Sequence, residues 1–105
     1  MKPDELEERI KSDQALVILD VRSGFEFRSG HIPGAVHAPL VKILKKTQKA
    51  SRNKEDLLVL TCEHGPRAQL ARMLLKWHGY KNIELLSGHM MRWRQSGRLL
   101  LKGQQ

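Results

Sequence analysis

Two short runs of consecutive apolar residues constrain the fold of this chain more than any other feature. Residues 16–21 read LVILDV and residues 57–61 read LLVLT, without the alternation of apolar and polar residues typical of a half-exposed strand. Strands of this kind are buried on both faces, as in a parallel sheet covered by helices. The sequence therefore predicts an α/β fold with a central, mostly parallel sheet flanked by helices on both faces.

The segments around these two strands supply the remaining elements. Helical patterns cover residues 3–11, 40–46, 67–78 and 89–95, and further short strands are predicted at 36–38 and 83–86. On the helix over 67–78, Leu70, Met73, Leu74 and Trp77 share one face. Residues 23–29 favour a polar or single helical turn, 47–56 a mobile connection, and 99–101 an edge strand or a segment packed on the core.

Length and cysteine content limit the class of protein. The 105 residues predict a single domain over 1–105, and no apolar run approaches the roughly 20 residues that cross a bilayer, so no membrane association is expected. The charged start of the chain, MKPDELEERIKSD, has no apolar signal core. One cysteine forms no internal disulfide, and an unpaired thiol suits a reducing compartment, which predicts the cytoplasm.

The net charge of +8 has two interpretations, attraction to acidic partners or small anions, and simple solubility. A basic run within residues 42–54 comprises Lys42, Lys45, Lys46, Lys49, Arg52 and Lys54. No aromatic residue interrupts this run and no nucleic-acid motif accompanies it. We interpret it as a solvated helix end and loop and expect no nucleic-acid partner.

The second apolar strand ends at Cys62, and a helix begins four to five residues later. Ligands of parallel α/β sheets bind beyond the carboxyl ends of the strands, which is where this thiol lies. Only the thiolate is a useful nucleophile, and loop N–H groups and a helix N-terminus favour negative charge. From its position alone, Cys62 is either a reactive thiol or a small buried apolar residue.

The candidate substrate-binding residues are the rest of this loop, Glu63, His64, Gly65, Pro66 and Arg67. Gly65 permits unusual dihedrals that turn several N–H groups inward, and Pro66 suits the first turn of a helix. Arg67 brings a permanent cation that can bind an oxyanion. Glu63 would oppose a thiolate and is expected to face solvent, whereas His64 is a possible anion ligand or proton donor.

The histidines do not have the spacing of a metal site. They stand at His31, His37, His64, His78 and His89, with no CxxC or HxxxH partner. We therefore expect no metal.

Several motifs together resemble the single-domain rhodanese family of sulfurtransferases. They are residues 19–22 (LDVR), 26–35 (EFRSGHIPGA) and 62–67 (CEHGPR), and Leu86-Ser87-Gly88 followed by Trp93 and Gly97. The matching motifs extend over nearly the whole chain and keep the family's order. The resemblance implies a rhodanese-like fold and favours a reactive Cys62.

The resemblance also implies a function, the relay of sulfur. Cys62 would take a sulfane sulfur from thiosulfate or a persulfide donor, hold it as a persulfide, and pass it to cyanide or a thiol, without a cofactor. Arg67 would bind the substrate anion and orient the loop. Asp20, Arg22, Glu26 and His31 match family positions, and we expect them to support the loop rather than to do chemistry.

The chain departs from the family pattern at His89. The family usually has a second glycine directly after the position of Gly88, and this chain has a histidine there. Either the backbone there does not need the freedom of glycine, or a side chain enters the region near the pocket. This substitution leaves open how well the family's small substrates apply.

Other functions remain as alternatives. Phosphatases and arsenate reductases have related loops, with one more residue than the four that separate Cys62 from Arg67. A non-catalytic or regulatory binding module would keep the fold and use the thiol little. The basic run could also dock an acidic sulfur-acceptor protein, and a monomer or weak dimer is expected.

Overall fold

A computed structural model describes residues 1–103 as an α/β fold built on one four-stranded sheet. The strands are β1 (Val17–Asp20), β2 (Val36–His37), β3 (Leu57–Thr61) and β4 (Asn82–Leu85). They run parallel in the order β2-β1-β3-β4. In this register, Leu19 pairs with Leu60 on one side and Val36 on the other. The carboxyl ends of β1 and β3 therefore lie side by side at the centre of the sheet.

Five helices cover the sheet. They are α1 (Pro3–Lys11), α2 (Gly24–Ser29), α3 (Ile43–Ala50), α4 (Pro66–Trp77) and α5 (His89–Gln95), and a 3-10 turn at Leu40–Lys42 precedes α3. One buried cluster joins α3 and α4 to the sheet through Leu19, Ile43, Leu58, Leu60, Ala68, Ala71 and Leu75. The other joins α1, α2 and α5 through Leu6, Ile18, Phe27, Val59, Met90 and Trp93. Successive strand residues face opposite clusters, which explains why the strands read as continuous apolar runs.

Most of the sequence-based elements are confirmed, with bounds that differ by a residue or two. The exception is the segment over residues 40–56, where the predicted helix begins and ends three to four residues later and the prediction of a mobile connection over 47–56 is wrong for residues 47–50. Helix α3 continues to Ala50, and Thr47 on it is fully buried. Beyond the helix, the Ser51 hydroxyl donates to Asp56 Oδ2 at 2.8 Å. Polar side chains thus order a segment that lacks apolar periodicity.

Helix α4 packs on the sheet with a different face from the one that its large apolar residues define. Its buried residues are Ala68, Ala71 and Leu75, whereas Leu70, Met73, Leu74 and Trp77 are 36% to 85% exposed. Two alanines against the sheet let the helix lie close to the strands, where larger side chains would not fit. The four large apolar residues that share one face in the sequence pattern therefore lie on the exposed side of this helix, and the smaller residues pack on the sheet.

The end of the described chain returns to the core beside His31. Leu101 forms an antiparallel bridge with His31, with both N–H···O distances at 2.9 Å. This contact agrees with a segment that packs back on the core. No helix within residues 1–103 has the length and apolar character to cross a bilayer.

Candidate active site

The loop that follows β3 surrounds the sulfur of Cys62. The backbone N–H of Gly65 donates to Cys62 Sγ at 2.9 Å, and Met90 N–H, at the start of α5, donates to the Cys62 carbonyl at 3.0 Å. Gly65 adopts a φ of +132°, which only glycine adopts without strain. Negative charge on this sulfur would therefore be stabilised by a backbone donor that the glycine positions.

The thiol is almost completely enclosed. Cys62 is 1% exposed and belongs to the buried cluster under α3 and α4, whereas His64 and Pro66 on the same loop are exposed. Substrate access to the sulfur therefore requires movement of the atoms around it. Such a site favours a small molecule, or a partner that displaces part of the loop.

Arg67 is fixed by a carboxylate from another element. Its two terminal nitrogens donate to Glu26 Oε1 and Oε2 at 2.7 and 3.0 Å. Glu26 also closes a capping box with Ser23 at the start of α2. The hydrogen bond from Arg67 lowers the pKa of Glu26 to about 2. The pair thus joins α2 to the first turn of α4, and both groups are charged at neutral pH.

Asp20 and Arg22 form a buried ion pair at the end of β1. Asp20 Oδ2 accepts from Arg22 Nη2 at 2.8 Å, and the same nitrogen donates to the Gly30 carbonyl at 2.8 Å. The side chains are 0% and 2% exposed. Arg22 Nη1 approaches Glu63 Oε1 at 3.5 Å. Arg22 thus connects β1, the end of α2 and the loop that carries the thiol.

Glu63 does not face solvent freely, and that expectation is wrong. Its side chain is 19% exposed, and its carboxylate pairs with Arg94 of α5 as well as with Arg22. The pKa of Glu63 is lowered mainly by hydrogen bonding from Arg94. Two cations therefore neutralise the charge that would oppose a thiolate. Sequence reasoning missed Arg94, because nothing near it in the chain marks it as a partner of the loop.

His89 lies directly beneath the loop. Its Nδ1 accepts a hydrogen bond from Cys62 N–H at 3.2 Å, so the neutral ring carries its proton on Nε2. Its φ of +51° shows that the backbone does adopt the conformation for which glycine is favoured. The pKa of His89 is lowered mainly by burial, which removes water from the ring. The departure from the family pattern therefore places a neutral side chain at the site.

His31 contacts α2 and the end of the described chain. It is fully buried, its Nδ1–H donates to the Phe27 carbonyl at 2.8 Å, and its ring stacks on Phe27 at 3.8 Å. His64 makes no side-chain hydrogen bond with any residue from 1 to 103. Within those same residues, no three histidine, cysteine or acidic side chains cluster as a metal site would require.

Comparison with known proteins identifies the family. The model of the Rhodanese-like domain matches residues 2–96. This chain belongs to the rhodanese family.

Two relatives of this rhodanese-like domain carry names from sulfur chemistry. It is 34% identical to the thiosulfate sulfurtransferase GlpE of Pseudomonas savastanoi over 82 residues, which cover 78% of this chain and 76% of GlpE. YrkF of Bacillus subtilis, provisionally named a sulfur carrier protein, is 34% identical over 86 residues, or 82% of this chain. The matched region is only 45% of YrkF, so this chain spans less than half of that relative.

Solved structures give the same fold. The domain superposes on the Alr3790 protein of Anabaena with a TM-score of 0.90 at 23% identity, over 98% of this chain and 82% of the other. A rhodanese-related protein from Thermoplasma volcanium gives 0.82 at 27% identity, over 98% and 97%. The predicted rhodanese-like fold is confirmed.

Proposed function

We propose that this rhodanese-like domain is a sulfurtransferase that carries sulfur as a persulfide on Cys62. The donor is thiosulfate or a persulfide, and the acceptor is a thiol or cyanide. The single observation that supports this most is the hydrogen bond from Gly65 N–H to Cys62 Sγ at 2.9 Å, in a loop closed by Arg67. A donor aimed at the sulfur stabilises the thiolate before attack and again when it is released.

The proposed reaction has two half-reactions. The Cys62 thiolate attacks the outer sulfur of thiosulfate, a new S–S bond forms, and the original S–S bond breaks as sulfite leaves with the electron pair. An acceptor thiolate or cyanide then attacks the outer sulfur of the persulfide and releases the Cys62 thiolate. No net oxidant is required, and ping-pong kinetics are expected.

Arg67 has a positioning part and an electrostatic part in this proposal. Because Glu26 takes both terminal nitrogens, the guanidinium holds the loop against α2. The pKa of Arg67 is raised first by hydrogen bonding to Glu26, and also by the charges of Glu26, Cys62 and Asp20. Its guanidinium therefore stays charged, and in this proposal that charge attracts a substrate anion to the loop.

Intact mass after incubation with thiosulfate tests the proposal. The expected result is the addition of one sulfur atom, which a thiol reductant removes. The Cys62→Ser variant is the control, because it keeps the side-chain volume close and lacks the nucleophile. Absence of added sulfur on the wild-type chain, or turnover retained by the variant, would overturn the proposal.

A non-catalytic binding module is the second candidate, and the enclosure of the thiol favours it. At 1% exposure, Cys62 would react slowly with any reagent if the loop did not move. A thiol that reacts no faster than a buried structural cysteine, together with no persulfide after thiosulfate treatment, would support this candidate.

We also propose a reducing compartment, since the one cysteine is free.

A further inference from the structure

The outer side of α4 carries an apolar stripe that nothing in residues 1–103 covers. Leu70, Met73, Leu74 and Trp77 follow at intervals of three and four residues, so they form one continuous row along the helix. Met73 is 61% exposed and Trp77 is 85% exposed. These four residues are called the α4 stripe below. Contiguous exposed apolar surface of this kind is typical of an interaction site.

The chain segments that carry α3 and α4 are basic and contain no acid. Residues 38–54 and 64–80, which include α3 and α4, hold no aspartate or glutamate. Their cations are Lys42, Lys45, Lys46, Lys49, Arg52, Lys54, Arg67, Arg72 and Lys76. Within the described chain, only Arg67 among them forms an ion pair. Arg72 and Lys76 line an open groove together with Met73 and Trp77.

This charge pattern selects the kind of partner. A second copy of the chain would bring two sets of unpaired cations together, which disfavours a symmetric contact through the stripe. Nucleic acid is less well matched, because Leu70, Met73 and Leu74 do not stack on bases as aromatic side chains do. An acidic protein segment with apolar side chains complements both the stripe and the cations that line its groove, Arg72 and Lys76.

We propose that the α4 stripe docks an acidic protein segment bearing apolar side chains, which brings a sulfur donor or acceptor group to Cys62. The inference rests on the proposed function. Helix α4 begins at Pro66, inside the loop of the thiol, and at about 1.5 Å per residue Trp77 lies about 17 Å along the axis. A segment lying on the stripe therefore ends beside the loop that encloses the sulfur.

Three synthetic acceptor peptides test the proposal. Each carries one cysteine; the first has glutamate and leucine on one face, the second has lysine in place of glutamate, and the third has serine in place of leucine. The measurement is kcat/KM for transfer from thiosulfate, with cyanide as a small acceptor. We expect the first peptide to exceed the second and third by about tenfold or more, with an advantage that falls as salt rises.

Paired variants separate the stripe from the rest of the surface. Trp77→Ala should lower kcat/KM for the acidic apolar peptide about tenfold and leave the rate with cyanide unchanged. Leu99→Ala, at a residue 65% exposed in the segment after α5, should change neither rate. Double charge reversal, Arg72→Glu with Lys76→Glu, should shift the preference towards the lysine peptide. Lys11→Glu on α1, on the other side of the sheet, should leave the preference among the peptides unchanged.

The outcomes distinguish this inference from the proposed function. Absence of transfer from thiosulfate to cyanide and to all three peptides would contradict the sulfurtransferase function itself. Normal cyanide turnover with equal rates for all three peptides would overturn only the docking proposal. Concentration-dependent burial of Trp77 in a dimer, measured by tryptophan fluorescence, would also overturn the docking proposal. Tighter binding of an oligouridylate than of the acidic peptide, lost in Trp77→Ala, would assign the stripe to nucleic acid instead.

Discussion

His89 Nδ1 accepts a hydrogen bond from the backbone N–H of Cys62 at 3.2 Å. The same ring supports Gly65 from below, since its Nε2 lies 3.3 Å from the point where a side chain on that glycine would begin. His89 therefore contacts both the residue that bears the thiol and the residue whose N–H points at the sulfur. Its positive φ costs about 1 kcal/mol or more in a non-glycine residue, which these contacts offset.

Replacement of His89 should affect the loop according to whether the acceptor is kept. His89→Gly relieves the backbone strain but leaves a buried N–H without a partner and a void under Gly65, so we expect kcat/KM for thiosulfate to fall about tenfold. His89→Asn places an amide oxygen near the Nδ1 position and tolerates the same φ, so most activity should remain. Steady-state kinetics at pH 8 measure both.

The pH dependence gives a second readout for the same residue. Burial, His64 and the N-terminal ammonium lower the pKa of His89 from 6.5, so folding favours its neutral form. This contribution to stability is complete above pH 6.5 and is lost as the pH falls below it. The wild-type chain should therefore lose stability over this range more than His89→Asn does. Identical pH profiles and rates for wild type and both variants would refute this role of His89.

The Glu26–Arg67 pair should contribute stability that depends on pH in the acid range. The pKa of Glu26 lies near 2 instead of 4.5, so its stabilisation is full above about pH 4.5 and is lost as the pH falls towards 2. Because solvent reaches the pair, we expect Glu26→Gln to lower the free energy of unfolding at pH 7 by only about 1 kcal/mol. Urea unfolding at several pH values measures the difference.

The control for this prediction is an ion pair of the same charge type on the surface. Glu5 accepts from Arg9 at 3.1 Å within α1, and its side chain is 49% exposed. Glu5→Gln should cost less than about 0.5 kcal/mol. Equal losses for the two substitutions, or a loss for Glu26→Gln that persists at pH 2, would show that the carboxylate charge is not the source.

The parts of the fold that follow from local pattern could be predicted from the sequence. The runs around Leu19 and Leu58 specify buried parallel strands, and the chain position of Cys62 after one of them specifies the edge at which ligands bind. Gly65 and Pro66 specify the turn and the helix start. These features depend on residues that are neighbours in sequence, which is why they could be recognised there.

The parts of the fold and of the site that depend on contacts between distant residues could not be predicted from the sequence. Arg94 lies 31 residues from Glu63, and no local rule pairs them. His89 could be identified as a departure from the family pattern, but its contact with Cys62 arises only when α5 is placed under the loop. The buried face of α4 depends on how closely the helix approaches the sheet, and this distance is not encoded in the spacing of its large residues.

Two adjacent leucines on α4 test which face is buried. Leu75 is fully buried and Leu74 is 36% exposed. Leu75→Ala should lower the free energy of unfolding by about 2 to 5 kcal/mol, because it removes apolar contacts and leaves a cavity. Leu74→Ala should cost less than about 1 kcal/mol, and the two substitutions have the same effect on helix propensity. Equal losses in denaturant unfolding would contradict the observed orientation of the helix.

The buried pair of Asp20 and Arg22 predicts an asymmetry between single and double substitutions. Asp20→Leu leaves the guanidinium of Arg22, which is 2% exposed, without its main partner, and we expect a loss of about 3 to 5 kcal/mol. Adding Arg22→Met removes the uncompensated charge, so the double variant should recover part of that loss in unfolding experiments. Activity should not recover, because Arg22→Met also removes the hydrogen bonds from Arg22 to Gly30 and Glu63. A double variant with full stability and full activity would show that the pair does not position the loop.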